Sequence, residues 1–171
     1  MADDAPSSLT SLIERLRVLL SQPLDFAATD TAGTLIKVRL LVAAATYFNV
    51  LSVSDFGGRS GPVREEGLVE NAIGAAFQTF GGYDPHPDPF DKAAMLLRGI
   101  TQGHPFNDGN KRTGFLVAAY YLRRVGIPVP NPLHEDAVVN LCMRVSAGDL
   151  RDIDAIAQEL RHLWEGGRRD Q

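Results

Sequence analysis

The stretch His104-Pro105-Phe106-Asn107-Asp108-Gly109-Asn110-Lys111-Arg112 decides how this chain is interpreted. It sets an imidazole, a carboxylate, amides and two cations close together, with proline and glycine shaping the backbone between them. Such a set can hold a metal-bound polyphosphate and remove a proton from an attacking hydroxyl. We call residues 104–112 the motif loop, and helical patterns flank it on both sides.

Apolar side chains next to the motif loop recur with helical spacing. Upstream, Asp88 and Pro89 form the start signal of a helix that continues to about Gln102, and Gly103 suits its C-terminal cap. Downstream, the pattern predicts a helix over Asn110–Val125, which a glycine and a cluster of prolines end. The motif loop is therefore predicted to connect two helices.

The rest of the chain also has helical patterns and no convincing strand alternation. Ser8–Ser21 and Val63–Phe80 are amphipathic, and Thr34–Val50 is apolar around most of its circumference, so we expect it to be central. Further helices are predicted at Glu135–Val145 and Asp152–Trp164. The predicted fold is all-α, a compact bundle of about six to seven helices.

The length of 171 residues is that of one domain with a small attachment. Residues 1–50 are predicted to be an N-terminal helical extension that packs on the core. Residues 51–165 would form the catalytic core with its C-terminal helices, and residues 166–171 a polar tail.

Composition and charge exclude several classes of protein. Hydrophobic residues make up 44% and charged residues 22%, and the formal net charge of −4 gives no broad electrostatic case for binding nucleic acid. The start, Met1 to Asp4, is acidic where a signal peptide would be basic. The apolar run from about Leu40 to Leu51 is shorter than the about 20 residues that span a bilayer. Cys142, the only cysteine, is expected to be a buried small hydrophobe. We expect a cytoplasmic protein without membrane contact.

A helix that begins just after Gly109 would aim its first N–H groups at whatever lies in front of the motif loop. These groups have no partner within the helix and carry the positive end of its dipole, so they form an anion site. Gly109 lets the backbone approach a ligand closely. Lys111 and Arg112 oppose the dipole of their own helix, which makes sense if an anion such as phosphate sits in front of them.

Asp108 and His104 add metal and proton chemistry to this anion site. Asp108 would repel an anion unless a divalent cation stood between them, and Mg²⁺ binds one or two carboxylates plus substrate phosphates. A histidine titrates near neutral pH, so His104 can accept a proton from an incoming hydroxyl. Phe106 is interpreted as the apolar anchor of the loop. Each residue alone has a structural alternative, such as a turn or a solvated surface, but the cluster favours a functional site.

The motif loop resembles the signature of the Fic/Doc superfamily, His-x-Phe-x-Asp/Glu-Gly-Asn-x-Arg. Six residues fall at its defined positions: His104, Phe106, Asp108, Gly109, Asn110 and Arg112. Lys111 stands where many AMP-transferring Fic proteins have glycine, and Phe115 stands where they have a second arginine. Both departures are typical of the death-on-curing (Doc) branch. The resemblance covers about residues 55–128, and the first fifty residues are longer than a typical Doc start.

The resemblance implies a phosphotransferase that acts on a protein hydroxyl and uses ATP and Mg²⁺. His104 would be the general base and Asp108 would bind Mg²⁺. The phosphates would be held by the residues that follow, Gly109, Asn110, Lys111 and Arg112. Doc proteins transfer the terminal phosphoryl group, with elongation factor Tu as the known kind of target, and they are toxins held inactive by an antitoxin. Fic proteins usually transfer AMP, which is the alternative activity.

Two further segments keep two interpretations each. Thr10 to Arg15 comes close to the inhibitory motif of self-inhibited Fic proteins, but an arginine replaces the final glycine or asparagine, and we interpret this helix as packing. Gly81 to Pro89 is either the flap that orients a target segment in this superfamily or a plain surface turn.

A catalytically silent binding module with the same fold is the alternative function from another class. A metal-dependent hydrolase is disfavoured, because one carboxylate and one histidine are too few ligands for catalytic zinc.

Overall fold

The computed structural model describes residue 26, residues 30–56, residues 58 and 65, and residues 67–166. Within these residues the chain forms six α-helices and one 3₁₀ turn, Ala75–Phe77. The helices are α1 Thr31–Phe56, α2 Leu68–Gly74, α3 Pro89–Gly103, α4 Asn110–Arg124, α5 Glu135–Ala147 and α6 Ile153–Gly166. The described part has no strand, and its isolated bridge pairs Phe80 with Tyr83. The all-α prediction is confirmed.

Helices α3 to α6 begin and end within two residues of their predicted bounds. The N-cap prediction for α3 is confirmed, because the Asp88 carboxylate accepts a hydrogen bond from the amide of Phe90 at 2.7 Å. The C-cap prediction is wrong. Gly103 still belongs to the helix, and the left-handed cap residue is His104, with φ 46° and ψ 50°. The predicted helix Ser8–Ser21 and the polar tail beyond residue 166 lie outside the described residues.

Helices α1 and α2 differ from the sequence prediction. α2 begins at Leu68 instead of Val63, because Gly67 adopts φ 85°, which a right-handed helix does not contain. α1 begins at Thr31, three residues before its predicted start at Thr34, where the Asp30 carboxylate accepts a hydrogen bond from the amide of Gly33 at 2.9 Å. It continues to Phe56, six residues beyond its predicted end at Val50. The predicted boundary between residues 50 and 51 lies within this unbroken helix, and the three-part division stays a prediction.

The length of α1 also bears on the prediction that the apolar run of residues 40–51 is too short to span a bilayer. Residues 31–55 form a helix of 25 residues that is long and apolar enough to cross a bilayer, by length and composition alone. In the structure, however, Leu40, Leu41, Ala44 and Ala45 are at most 1% exposed, because α1 packs against α2 and α4. A central helix of a folded bundle has the same composition, and we interpret α1 as one.

Helix α3 is the centre of the bundle and packs against α2, α4, α5 and α6. Its contact with α4 is close. A β-carbon at Gly114 of α4 would lie 2.8 Å from Oγ1 of Thr101 and 3.0 Å from the carbonyl oxygen of Leu97, so a larger residue would push the helices apart. Leu97, Ile100 and Leu122 are fully buried around this contact. The α3–α4 packing therefore fixes where the loop between these helices lies.

The C-terminal helices complete the core through one aromatic residue. Trp164 of α6 is 2% exposed, and its ring centroid lies 6.2 Å from those of Phe90 and Phe115. Phe90 belongs to α3 and Phe115 to α4, so the indole joins three helices. Cys142 of α5 is buried, as predicted, and burial raises the pKa of its thiol to about 11 although the nearby Lys111 acts in the opposite direction.

At the N-terminal end of α3, a buried lysine is held by one carboxylate. Lys92 is 8% exposed, donates to Oδ2 of Asp84 at 2.6 Å and to the carbonyl oxygen of Ala76 at 3.2 Å, and lies 5.5 Å from the ring centroid of Phe77. Burial alone would raise the pKa of Asp84. The hydrogen bonds from Lys92 and the amide of His86, with the Lys92 charge, outweigh burial, and the pKa is lowered.

We expect Asp84→Asn to destabilise the protein by about 2 kcal/mol, because it leaves the Lys92 ammonium buried without a charge partner. The loss is smaller than the about 3–5 kcal/mol of fully buried pairs, since the Asp84 side chain is 27% exposed. Urea unfolding measures this difference, and Asp149→Asn, on an exposed loop, is the control.

The same pair predicts the pH dependence of this difference. A carboxylate with a lowered pKa stabilises the fold above its ordinary value of 3.8, and this contribution is lost as pH falls through the lowered value. The gap between wild type and Asp84→Asn should therefore be full at pH 7 and shrink only below about pH 3.8. A gap that closes between pH 7 and 5 would contradict this account.

Candidate active site

The motif loop lies between the C-terminal end of α3 and the N-terminal end of α4. His104 ends α3 in the left-handed region, which histidine adopts more readily than most residues. Its side chain is exposed, whereas Pro105 behind it is buried. The unusual backbone of His104 thus turns the chain out of α3 and leaves the imidazole at the surface.

Two motif residues hold the loop together. Phe106 is 2% exposed and belongs to the hydrophobic core. Asn110 is 8% exposed, and its side chain bonds the Phe106 main chain twice, accepting from the amide at 2.9 Å and donating to the carbonyl oxygen at 2.8 Å. The Asn110 amide group therefore closes the loop, and the contact of this residue with phosphate stays a prediction.

Gly109 is the N-cap residue of α4 and has φ 74°, a conformation that residues with a β-carbon rarely adopt. A β-carbon there would lie 3.1 Å from Nδ2 of Asn49 and 3.4 Å from Cγ2 of Val53, both on α1. The sequence predicted that this glycine allows a ligand to approach the backbone. The structure shows that it allows α1 to approach.

Asp108 carries the carboxylate predicted to bind Mg²⁺, and the residue is exposed. Its Oδ1 accepts a hydrogen bond from the amide of Gly109 at 2.6 Å, and its Oδ2 lies so close to Gly58 that a β-carbon at Gly58 would collide with it. The described residues contain no group of three or more metal-ligating side chains. One exposed carboxylate beside an anion site suits Mg²⁺, which keeps several waters and takes its other ligands from phosphates.

The N-terminal end of α4 presents main-chain donors and two cations. Thr113 is the first residue of α4 whose amide bonds back to the turn, to the carbonyl oxygen of Gly109 at 2.9 Å, so the amides of residues 110–112 precede the helical ladder. Lys111 is exposed and Arg112 is half-buried. Nη1 of Arg112 donates to the carbonyl oxygen of Ser52 on α1 at 2.9 Å, which orients its guanidinium.

These residues surround one open cavity of about 260 Å³. Its lining consists of the motif residues His104, Asn107, Asp108, Gly109, Asn110, Lys111 and Arg112. Of the predicted site residues, only Phe106 is absent, because it points into the core. His104 also borders a second cavity of about 220 Å³ with Ser146 and Arg151, so its imidazole lies between two openings.

Sequence reasoning missed the part of the site that α1 supplies. Asn49, Ser52 and Val53 all contact the motif loop, and Gly58 follows them. The available signal was a buried asparagine within an apolar helix, which requires a polar partner elsewhere in the fold. That partner lies more than fifty residues away in sequence, so spacing could not identify it.

The Gly81–Pro89 segment lies at the other end of the bundle. It leads into the N-terminus of α3, whereas the motif loop follows the C-terminus of that helix. The 15 residues of α3 separate the two by about 22 Å. The position favours the plain surface turn over the target-orienting flap.

Comparison with known proteins agrees with this architecture. The Fic/DOC family matches residues 39–122, from the middle of α1 to α4. The toxin Doc of Mycolicibacterium smegmatis is 36% identical over 105 residues, which cover 61% of this chain and 79% of the relative. Protein kinase doc of Escherichia phage P1 is 31% identical over 113 residues, 66% of this chain and 85% of the relative. The chain belongs to the Fic/Doc family.

The Fic/Doc assignment extends to the Doc branch, as the motif loop predicted. A Fido domain-containing protein of Dictyostelium discoideum is also similar, 35% identical over 71 residues that cover 40% of this chain and 50% of that protein. The family match begins at residue 39, upstream of the predicted start of the core at residue 51. The family match thus includes part of α1.

We expect Gly109→Ala to destabilise this Doc-type fold by about 1–3 kcal/mol, because alanine is strained at φ 74° and would crowd Asn49. Thermal or urea unfolding measures the change. Gly74→Ala is the matched control. Gly74 has φ −59° and no atom near its would-be β-carbon, so alanine should stabilise by about 0.4–1 kcal/mol. Equal effects of the two substitutions would refute the argument.

Proposed function

We propose that this protein is a Doc-type toxin that transfers the terminal phosphoryl group of ATP to a Ser or Thr hydroxyl of a target protein, with Mg²⁺ as cofactor. One observation carries the proposal. A single cavity is lined by an exposed imidazole, one carboxylate, the N-terminal end of α4 and two cations. The name of the phage P1 relative, protein kinase doc, supports the same activity.

In the proposed reaction, His104 is the general base. Its imidazole nitrogen takes the proton of the acceptor hydroxyl while that oxygen forms a bond to the γ-phosphorus. The bond between the γ-phosphorus and the bridging β–γ oxygen breaks, and ADP leaves with the electron pair. The exposed position of His104, between two cavities, leaves it accessible to a protein substrate.

The phosphates would be held by the N-terminal end of α4. Main-chain amides of residues 110–112 donate to phosphate oxygens, and Lys111 and Arg112 balance their charge. Asp108 would hold Mg²⁺, whose positive charge would offset the negative charge of the phosphates. Arg112 is already fixed by Ser52, so it would lose less side-chain freedom when it binds phosphate.

Transfer of AMP is the alternative, and position 115 argues against it. The resemblance places the second arginine of AMP-transferring Fic proteins at this position. Phe115 is 7% exposed, and its ring packs near Trp164 in the core, 6.2 Å between centroids. This position therefore supplies no cation to the cavity.

Labelled ATP distinguishes the two activities. We expect γ-labelled ATP to label a protein when the purified chain is incubated with a bacterial lysate, and α-labelled ATP to leave it unlabelled. Chelation of Mg²⁺ by EDTA should abolish the label, because without a divalent cation the Asp108 carboxylate would repel the phosphates. Label from the α-phosphate alone would establish AMP transfer instead. Elongation factor Tu is the first purified protein to test as acceptor.

The general-base role of His104 predicts a large loss of rate on substitution. His104→Asn should lower transfer by roughly 10²–10⁴-fold. Asparagine adopts the left-handed backbone of this position readily, so the loop should stay folded. Its amide cannot accept the proton, so the general base is lost. His162→Ala, an exposed histidine of α6, is the control.

Growth on expression tests the toxin role and the silent-module alternative together. We propose that a cytoplasmic antitoxin protein holds the toxin inactive, so expression of this chain alone should arrest growth. Wild type should arrest growth and His104→Asn should not. Equal arrest by both would indicate a binding module whose effect does not require catalysis.

A further inference from the structure

The side-chain amide nitrogen of Asn49 joins α1 both to the motif loop and to α4. It is 5% exposed, and its Nδ2 donates to the carbonyl oxygen of Asp108 at 2.7 Å and to Oγ1 of Thr113 at 3.2 Å. Thr113 is fully buried in the first turns of α4. One side chain of α1 thus bonds Asp108, two residues before α4, and Thr113 within it.

The first of these bonds sets the orientation of a whole peptide unit. In a planar trans peptide the C=O and N–H groups point in opposite directions. Because Asn49 holds the carbonyl of Asp108 towards α1, the N–H of Gly109 points away from α1. That N–H is the donor that binds Oδ1 of Asp108 at 2.6 Å. Asn49 therefore orients the Asp108 carboxylate indirectly, through the peptide plane.

We infer that Asn49 is a positioning residue for the proposed phosphoryl transfer, and the inference rests on that function. It fixes the orientation of the Asp108–Gly109 peptide. That peptide in turn positions the Asp108 carboxylate, which would ligate Mg²⁺, and the first amides of α4, which would bind phosphate. The neighbouring contacts act in the same direction, since Ser52 holds Arg112 and Val53 packs on Gly109. α1 is thus the support against which the metal and phosphate ligands are aligned.

Two substitutions of Asn49 test this role, one that shortens the side chain and one that keeps its volume. Asn49→Ala removes both hydrogen bonds. Asn49→Asp keeps the side-chain volume but turns an acceptor oxygen towards the carbonyl of Asp108, which favours rotation of the peptide. Thr46→Val is the matched control, because Thr46 lies about one turn earlier on α1 and its hydroxyl donates within the helix, to the carbonyl oxygen of Val42 at 3.0 Å.

Substitution of a residue that orients a metal ligand typically lowers metal affinity or activity by about 10–100-fold. We expect both Asn49 variants to need about 10–100-fold more Mg²⁺ for half-maximal transfer, with Thr46→Val unchanged. Calorimetric binding of Mg²⁺ in the presence of ADP should show the same shift. Hydrogen exchange at the amides of residues 109–113, without nucleotide, should accelerate in the Asn49 variants only.

These measurements separate the inference from the proposed function. If wild type transfers no phosphoryl group, the function fails, while Mg²⁺–ADP binding and hydrogen exchange still decide the role of Asn49. Folded variants with unchanged Mg²⁺ dependence, Mg²⁺ binding and exchange would overturn the inference. An Asn49→Asp protein that does not fold would also overturn it, because Asn49 would then serve the fold and not the orientation of the site.

Discussion

The close contact between α3 and α4 is the constraint on which the rest of the structure depends. At Gly114 the helices approach so closely that a β-carbon would lie within 3.0 Å of the α3 backbone. This packing fixes the gap between the end of α3 and the start of α4, and the motif loop has to close that gap. The loop can do so because His104 leaves α3 in a left-handed conformation and Gly109 enters α4 in another.

Buried amide side chains then convert a short connection into a site with a defined shape. Asn110 ties the loop to itself through the main chain of Phe106, and Asn49 ties it to α1. Leaving either set of partners unpaired would cost the desolvation of buried polar groups, about 1–3 kcal/mol each, so alternative loop conformations are disfavoured. The exposed groups that remain, His104, Asp108 and Lys111, can therefore meet a ligand from fixed backbone positions.

Periodicity predicted the helices around the motif loop well because their apolar faces are strongly patterned and their ends carry clear signals. Asp88 and Pro89 start α3 through local hydrogen bonding and ring geometry, and no tertiary contact is needed. The prediction failed where a local signal was absent or ambiguous. α1 begins earlier than predicted, where the Asp30 carboxylate accepts from the amide of Gly33, and it continues past its predicted end, where Ser52 and Val53 are buried. α2 starts late because Gly67 takes a left-handed conformation that its neighbours do not reveal.

The sequence by itself determined the all-α class, the motif residues, the buried anchor Phe106 and membership of the Doc branch, since these depend on residue type and local spacing. Only the tertiary structure decided that Asn110 serves the loop, that Gly109 makes room for α1, and that residues 81–89 lie at the far end of α3. The reason is physical. Packing brings Asn49 and Asp108 together across 59 positions of sequence, and no local pattern encodes such a contact.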